Sequence, residues 1–258
     1  VGFLLICEGN CWGDEPQKIG DSYECVPRYT EMIEQDYNHP SIFAWSIGNE
    51  MHGTRAATKA YAEFMVPYIK SLDSTRFVTE VSNTAGGSSK PADDSVQYAD
   101  FICRNAYGGF KNIAEKVHNL YPNKAIFFTE TGYSQNKENL DSTINAQGII
   151  NDLAGLEYVA GASLWTLNDY RSGFIGTPAG QNRAWGVTTV WGDKKAGFEK
   201  LRSAFSPVKS LTVMVNGDTQ QAGEAMAMLQ LEMKNIEETL PAYPLRNANL
   251  KWEAIRAD

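Results

Sequence analysis

Cysteine is sparse in this chain, with four residues in 258. Cys7 and Cys11 stand four apart but have no second close pair to complete a zinc ribbon, so the thiols read as small buried hydrophobes. That leaves the compartment undecided. No apolar run reaches the ~18 residues that a membrane span requires. The opening Val1-Gly2-Phe3-Leu4-Leu5-Ile6-Cys7 has no basic flank and is too short an apolar stretch for a signal peptide. It also lacks an initiator Met and starts as though already inside a strand, which predicts a segment of a longer polypeptide. Basic charge is in deficit, with 23 Lys and Arg against 31 Asp and Glu and a net charge of -8. Neutralising phosphates needs a basic face, so nucleic acid is excluded as a partner. At 43% hydrophobic and 21% charged residues the composition also rules out disordered and collagenous chains. No internal repeat is evident.

What is present is an alternation of short apolar runs with longer amphipathic ones. Phe3–Glu8 reads as a buried strand closed by the loop signals Gly9 and Asn10. A helix is expected over Ser22–Tyr37, stopped by Asn38-His39-Pro40, and a strand over Ile42–Ile47. The series continues with a helix at Ala56–Leu72, kinked at Pro67, and a strand at Arg76–Val81. Next come a strand at Ala99–Asn105, a helix at Ile113–Tyr121 and a strand at Ala125–Thr129. A long helix over about Glu138–Val159 leads to a strand at Gly161–Thr166. The segment from Leu167 to Arg183 is too long for a mere connector, and Asp193–Ala204 closes with a helix. Six strand–helix alternations imply a parallel sheet with helical crossovers. After Ser206-Pro207 the period changes to two: Leu229, Leu231 and Met233 alternate with Gln230, Glu232 and Lys234, and Asn249–Glu253 is similar. This pattern places a domain boundary near Pro207, followed by antiparallel strands.

Two acidic residues lie just past predicted strand ends, Glu50 after Ser-Ile-Gly-Asn and Glu130 after Phe-Phe-Thr. Active sites of parallel α/β barrels lie at that face, and two carboxylates with room for a sugar between them are the minimum equipment for glycoside hydrolysis. Trp45, Asn49, His52, Asn105, Tyr107, Trp165, Asn168 and Asp169 all fall near strand ends, where aromatic faces could stack on sugar rings and amides read hydroxyls. Glutamates after strands are common, however, and many cap helices or form ion pairs.

The wording of the motifs is more specific. Tyr37-Asn38-His39-Pro40-Ser41-Ile42-Phe43-Ala44-Trp45-Ser46-Ile47-Gly48-Asn49-Glu50 closely resembles the acid/base signature of glycoside hydrolase family 2, which holds β-galactosidases, β-glucuronidases and β-mannosidases. Phe127-Phe128-Thr129-Glu130-Thr131-Gly132-Tyr133 is similar to its nucleophile segment, Asp100–Gly109 to its strand-six segment, and Ala162–Tyr170 to its strand-eight segment. The likeness runs in the family's order from residue 1 to about 206.

The resemblance implies a (β/α)8 TIM barrel, with strands three to eight present in residues 1–206, followed by the start of an all-β immunoglobulin-like sandwich in 207–258. Leu240–Trp252 carries a weak likeness to that sandwich. It also implies a retaining mechanism, with Glu130 as nucleophile and Glu50 as acid/base. Retention needs carboxyl groups ~5–5.5 Å apart, with a raised pKa on the acid and a low one on the nucleophile. Tyr107 would hydrogen-bond the nucleophile and Asn49 the sugar 2-hydroxyl. His52, Asn105, Trp165, Asn168 and Asp169 complete the expected substrate contacts. Cys11-Trp12-Gly13-Asp14 lacks the Glu-x-His arrangement that holds magnesium in some β-galactosidases, so no metal and no cofactor are expected.

Asn182-Arg183-Ala184 departs from the Asn-x-Lys motif of β-glucuronidases, with Ala at the Lys position and Arg183 beside it. By elimination the expectation is an exo-acting β-galactosidase. The alternatives are β-glucuronidase-like specificity, an endo-acting polysaccharide hydrolase of the same clan, and a catalytically silent carbohydrate-binding protein. The expected partner is a β-glycoside, without nucleic acid or membrane. Oligomeric state and localisation stay open.

Overall fold

The computed structural model describes residues 3–14, 16, 25–132, 146–175, 177, 179–216 and 226–240. Its centre is a six-stranded parallel sheet made of β1 (Leu5–Glu8), β2 (Ile42–Asn49), β3 (Phe77–Ser82), β4 (Ile102–Asn105), β5 (Ile126–Thr131) and β6 (Val159–Leu164). The strands lie side by side in chain order, so each crossover returns to the next position and the sheet curls as a partial barrel. Strand β2 has six of its eight residues buried, the continuous pattern of a strand covered on both faces. These six strands match the expected six in order and type.

The crossovers are amphipathic. Helix α1 (Val26–Asp36) buries Tyr29 and Ile33. Helix α2 (Ala56–Leu72) buries Thr58, Tyr61, Ala62, Met65, Val66 and Ile69, a stripe at helical spacing that packs behind β2 and β3. It runs through Pro67 as one element. Two short 3-10 turns, Pro91–Asp93 and Ser95–Tyr98, and helix α3 (Phe110–Leu120) follow. The core behind the sheet divides in two. One cluster gathers around Tyr29, Trp45, Tyr61 and Met65, the other around Ile102, Val117, Phe128 and Ile150. Cys11, Cys25 and Cys103 are buried, and none of the four cysteines forms a disulfide.

The long helix expected over 138–159 is shorter where it can be followed. Helix α4 spans Ala146–Leu153, Gly155 turns the chain at a φ of 81°, and β6 begins at Val159. Residues 133–145 lie outside the described set. The long 167–183 connection contains a small hairpin, β7 (Tyr170–Arg171) with β8 (Asn182–Arg183), and helix α5 covers Gly197–Phe205.

The period-two segment is a strand as expected, for β9 (Val208–Asn216) pairs antiparallel with β10 (Met226–Met233). Two strands do not make a sandwich, and 241–258, with the expected strand at 249–253, lie outside the described residues. Lys234 Nζ donates to the carbonyls of Ser203 and Ala204, and Leu240 joins the larger core cluster, which ties the hairpin's far end to α5. Among the described residues, no helix is long and apolar enough to cross a membrane.

Candidate active site

The site assembles at the C-terminal ends of the strands. At the end of β2 the backbone of Cys11 approaches so closely that a Cβ on Gly48 would lie 2.5 Å from the Cys11 carbonyl. Only glycine fits there, at a φ of 148°. The approach is fixed by Asn49 N–H donating to the Cys11 carbonyl at 2.9 Å and Gly13 N–H to that of Asn49 at 3.1 Å. The next turn is strained. Glu50 and His52 hold φ of 52° and 57° without being glycine, each costing about 1–2 kcal/mol. Surrounding bonds hold the turn: Glu50 N–H donates to Val81 O at 2.8 Å, and Asn83 Nδ2 reaches Glu50 O at 3.4 Å and His52 Nδ1 at 3.3 Å.

Asn105, at the end of β4 and 3% exposed, joins the two halves. Its Nδ2 donates to Asn49 Oδ1 at 3.0 Å and Glu50 Oε1 at 3.1 Å, while its Oδ1 accepts from Thr129 Oγ1 at 2.8 Å. Glu130, opposite Asn105 in the β4–β5 register, accepts from Tyr107 OH at 2.6 Å and Asn49 Nδ2 at 3.4 Å. The two carboxylates thus share one hydrogen-bonded frame. Below them a cavity of about 320 Å³ is lined by Leu5, Glu8, Phe127, Glu130 and Trp165 among others. Glu8 accepts from Ser46 Oγ at 3.0 Å, a supporting position consistent with its place at a strand end.

The electrostatics correct one expectation. Burial, helped by the neighbouring Glu50 charge, holds Glu130 above the ordinary carboxylate range, and the bonds from Tyr107, Asn105 and Asn49 only oppose this. The low pKa expected for this group is therefore not reached. Burial and the Glu130 carboxylate push the Tyr107 phenol well up, so it stays a proton donor across the working range.

Glu50, Glu130, Asn49, Asn105 and Tyr107 come together in one hydrogen-bonded frame. His52 sits past Glu50, bonded to Asn83 and 3.8 Å from Asp14. Trp165 lines the cavity, its Nε1 on Tyr170 OH at 3.2 Å, and its bond to Thr166 is cis. Asn168 is exposed and donates to Thr189 O at 3.3 Å. Asp169 departs from expectation. It is 8% exposed and committed to Lys195 Nζ at 2.5 Å and Gly186 N–H at 2.9 Å, which makes it a buried clamp and leaves it unsuited to reading a hydroxyl. Trp45 is fully buried behind the sheet, donating to Asp73 at 2.9 Å. Arg104 is likewise spent on the carbonyls of Ala85, Ser82 and Asn105.

Sequence reasoning missed Asn83, although a polar residue just past a strand is the same signal that singled out Asn49. It also left Trp12 and Phe174 unassigned, since nothing local shows that two loops so far apart in the chain will meet. Among the described residues, no group of three or more His, Cys, Asp or Glu could hold a metal ion.

Residues 9–161 match the family model described as "Glycosyl hydrolases family 2, TIM barrel domain". The chain is 25% identical over 197 residues to the β-glucuronidase of Chlorocebus aethiops, covering 67% of this chain and 28% of that protein. It is 38% identical over 77 residues to the Homo sapiens β-glucuronidase, covering 30% of this chain and 11% of that one. It therefore spans less than a third of the length of these curated relatives. In fold it is similar to a family 2 β-galacturonidase from Eisenbergiella tayi (TM-score 0.65, 19% identity, 77% of this chain and 40% of that one). A β-glucuronidase from an uncultured Clostridium sp. is similarly close (TM-score 0.64, 23% identity, the same two shares). With the family model matched across strands β2 to β5 and the carboxylate frame at their ends, this chain belongs to glycosyl hydrolase family 2 and carries its TIM barrel domain.

Proposed function

We propose that this domain hydrolyses terminal β-glycosides of uronic acids by a retaining, two-step mechanism. The observation that carries the reading is the Asn49–Asn105–Tyr107 frame, which holds Glu50 and Glu130 in one hydrogen-bonded unit at the C-terminal face. Glu130 attacks the anomeric carbon while Glu50 protonates the departing oxygen. Glu50 then takes a proton from the water that releases the sugar. Tyr107, donating at 2.6 Å, orients Glu130 and favours its charged form. Asn49, already directed at Glu130, is placed to meet the 2-hydroxyl, a contact that strengthens as positive charge develops on the ring. Residues 1–206 make up the catalytic unit in this reading, and 207–258 begin a β-sandwich.

The uronic acid specificity replaces the β-galactoside expectation. It is supported by the names of the curated relatives, which are β-glucuronidases, and by Arg183. No acidic partner holds this guanidinium among the described residues. It lies over the rings of Phe174 at 4.9 Å and Trp185 at 5.5 Å, and Trp185 packs edge-on against Tyr107. A half-buried, unpaired guanidinium one aromatic ring from Tyr107 suits a sugar carboxylate, and it takes the part that Ala184 cannot.

The test compares 4-nitrophenyl β-glucuronide, β-galacturonide, β-galactoside and β-mannoside in the full-length protein. Release from uronides is expected, with Arg183→Gln lowering kcat/KM on them at least tenfold. Glu130→Gln should abolish turnover, and azide should rescue Glu130→Gly with inverted product. Faster galactoside release that Arg183→Gln leaves untouched would overturn the specificity. Turnover surviving in Glu130→Gln would overturn the mechanism.

A further inference from the structure

The two edge strands of the sheet, β1 and β6, do not pair among the described residues, yet the loops that follow them meet. Trp12, after β1, and Phe174, between β7 and β8, pack edge to face with centroids 6.2 Å apart and planes at 81°. Each is 51% exposed. Neither position is accidental in its backbone. Trp12 forms an isolated parallel bridge with Asn49 and is flanked by the two bonds between 11–13 and Asn49, so it rides in register beside the residue preceding Glu50. Asp14, two residues on, pairs with Arg55 and lies 3.8 Å from His52, which anchors this loop to the turn beyond Glu50. Phe174 is held by its N–H on Ser172 Oγ at 3.1 Å and by Arg183 over its ring.

This placement has a direction. Tyr107 donates to Glu130 and Trp165 lines the same cavity, while the Trp12 loop flanks Asn49, which bonds Glu130 at 3.4 Å, and through Asp14 meets His52 two residues past Glu50. The acid must sit against the departing oxygen, and this loop is bonded on both sides of Glu50, to Asn49 and to His52, which puts it beside the group that leaves with that oxygen. What sets this pair apart from other exposed rings such as Trp191 is its bonded position beside Asn49 and Glu50, where a planar group could stack on it.

Resting on the retaining-glycosidase reading, we propose that Trp12, braced by Phe174, is a leaving-group subsite that selects planar aromatic aglycones. Arg55 and Asp14 neutralise each other at its edge, leaving the ring rather than a charge to do the recognition.

The experiment measures binding of non-hydrolysable phenyl and methyl 1-thio-β-glycosides, each as glucuronide and as galactoside, to the full-length protein by calorimetry. Stacking on one ring is worth about tenfold in affinity, so the phenyl compound should bind about tenfold more tightly than the methyl one. Trp12→Ala should bring that ratio close to one, with methyl binding changed less than twofold. Phe174→Ala should give an intermediate loss and Trp12→Phe should retain most of the preference. A merely structural role for Trp12 would weaken both compounds together and lower the unfolding midpoint, which would overturn the proposal, as would an unchanged ratio in Trp12→Ala. The sugar that binds reports on the uronide reading separately, because the ratio is taken within each sugar. If neither sugar binds in either form, the enzymatic reading and this one fall together.

Discussion

Glu80 offers a sharp test of the fold that supports the site. It sits on β3, 3% exposed, with Oε1 accepting from Ser95 Oγ at 2.5 Å and Oε2 without a partner. Burial, with help from nearby Asp94, pushes its pKa from 4.5 up to about 8, against the opposing Ser95 bond and Lys124 charge. The folded protein therefore holds this proton to higher pH than the unfolded chain does. In that window stability falls as pH rises: it is fully present below about 4.5, declines toward 8 and is flat above. At about 1.36 kcal/mol per pH unit, the decline between pH 5 and 8 amounts to roughly 3–4 kcal/mol. Glu80→Gln removes the titration while keeping the shape. Urea unfolding followed by circular dichroism at pH 5, 6.5 and 8 should show the variant gaining on the wild type by roughly 3–4 kcal/mol across that range. Other titrating groups are common to both proteins and cancel. Parallel stability profiles for the two would refute the argument, because they would mean that Glu80 titrates alike in the folded and unfolded states.

Tyr107→Phe removes a bond to a charged group worth about 1.5–3 kcal/mol, so kcat should fall ten- to a hundredfold. Because that bond opposes the upward shift of Glu130, and Glu130 in its proposed role as nucleophile has to be ionised, the acid limb of the kcat/KM profile should also move to higher pH. An unmoved limb would deny the contact its role. The Asp169–Lys195 pair is almost fully buried, so Lys195→Met should cost about 3–5 kcal/mol in urea unfolding by stranding the carboxylate; a loss below about 1 kcal/mol would count against a buried clamp. Gly48→Ala should push the 11–13 segment off Asn49 and depress turnover, while the unfolding transition stays cooperative.

The six strands and their crossovers were legible because each is a local pattern. Continuous apolar runs such as Ile42–Ile47 and the helical stripe of Ala56–Leu72 depend only on neighbours in the chain. Legibility failed where the pattern stayed apolar across a break. The run through Ile149, Ile150 and Leu153 continues into Val159, and only the turn at Gly155 separates helix from strand. Asp169 was misread for a different reason. Its distance from a strand end is a local property, but its partner Lys195 is 26 residues away on the far side of a long loop.

The amino-acid sequence by itself determined the barrel class and the family and singled out the two glutamates as candidates, because strand periodicity and short motifs need no information about distant contacts. Only the tertiary structure decided how the carboxylates are joined through Asn105, that burial lifts Glu130 above its expected range, and which polar residues near strand ends are clamps and not contacts. It also brought Trp12 to Phe174, from loops 162 residues apart that follow opposite edges of the sheet. Such pairings are set by curvature and burial, which accumulate over the whole sheet and leave no mark in any single stretch of chain.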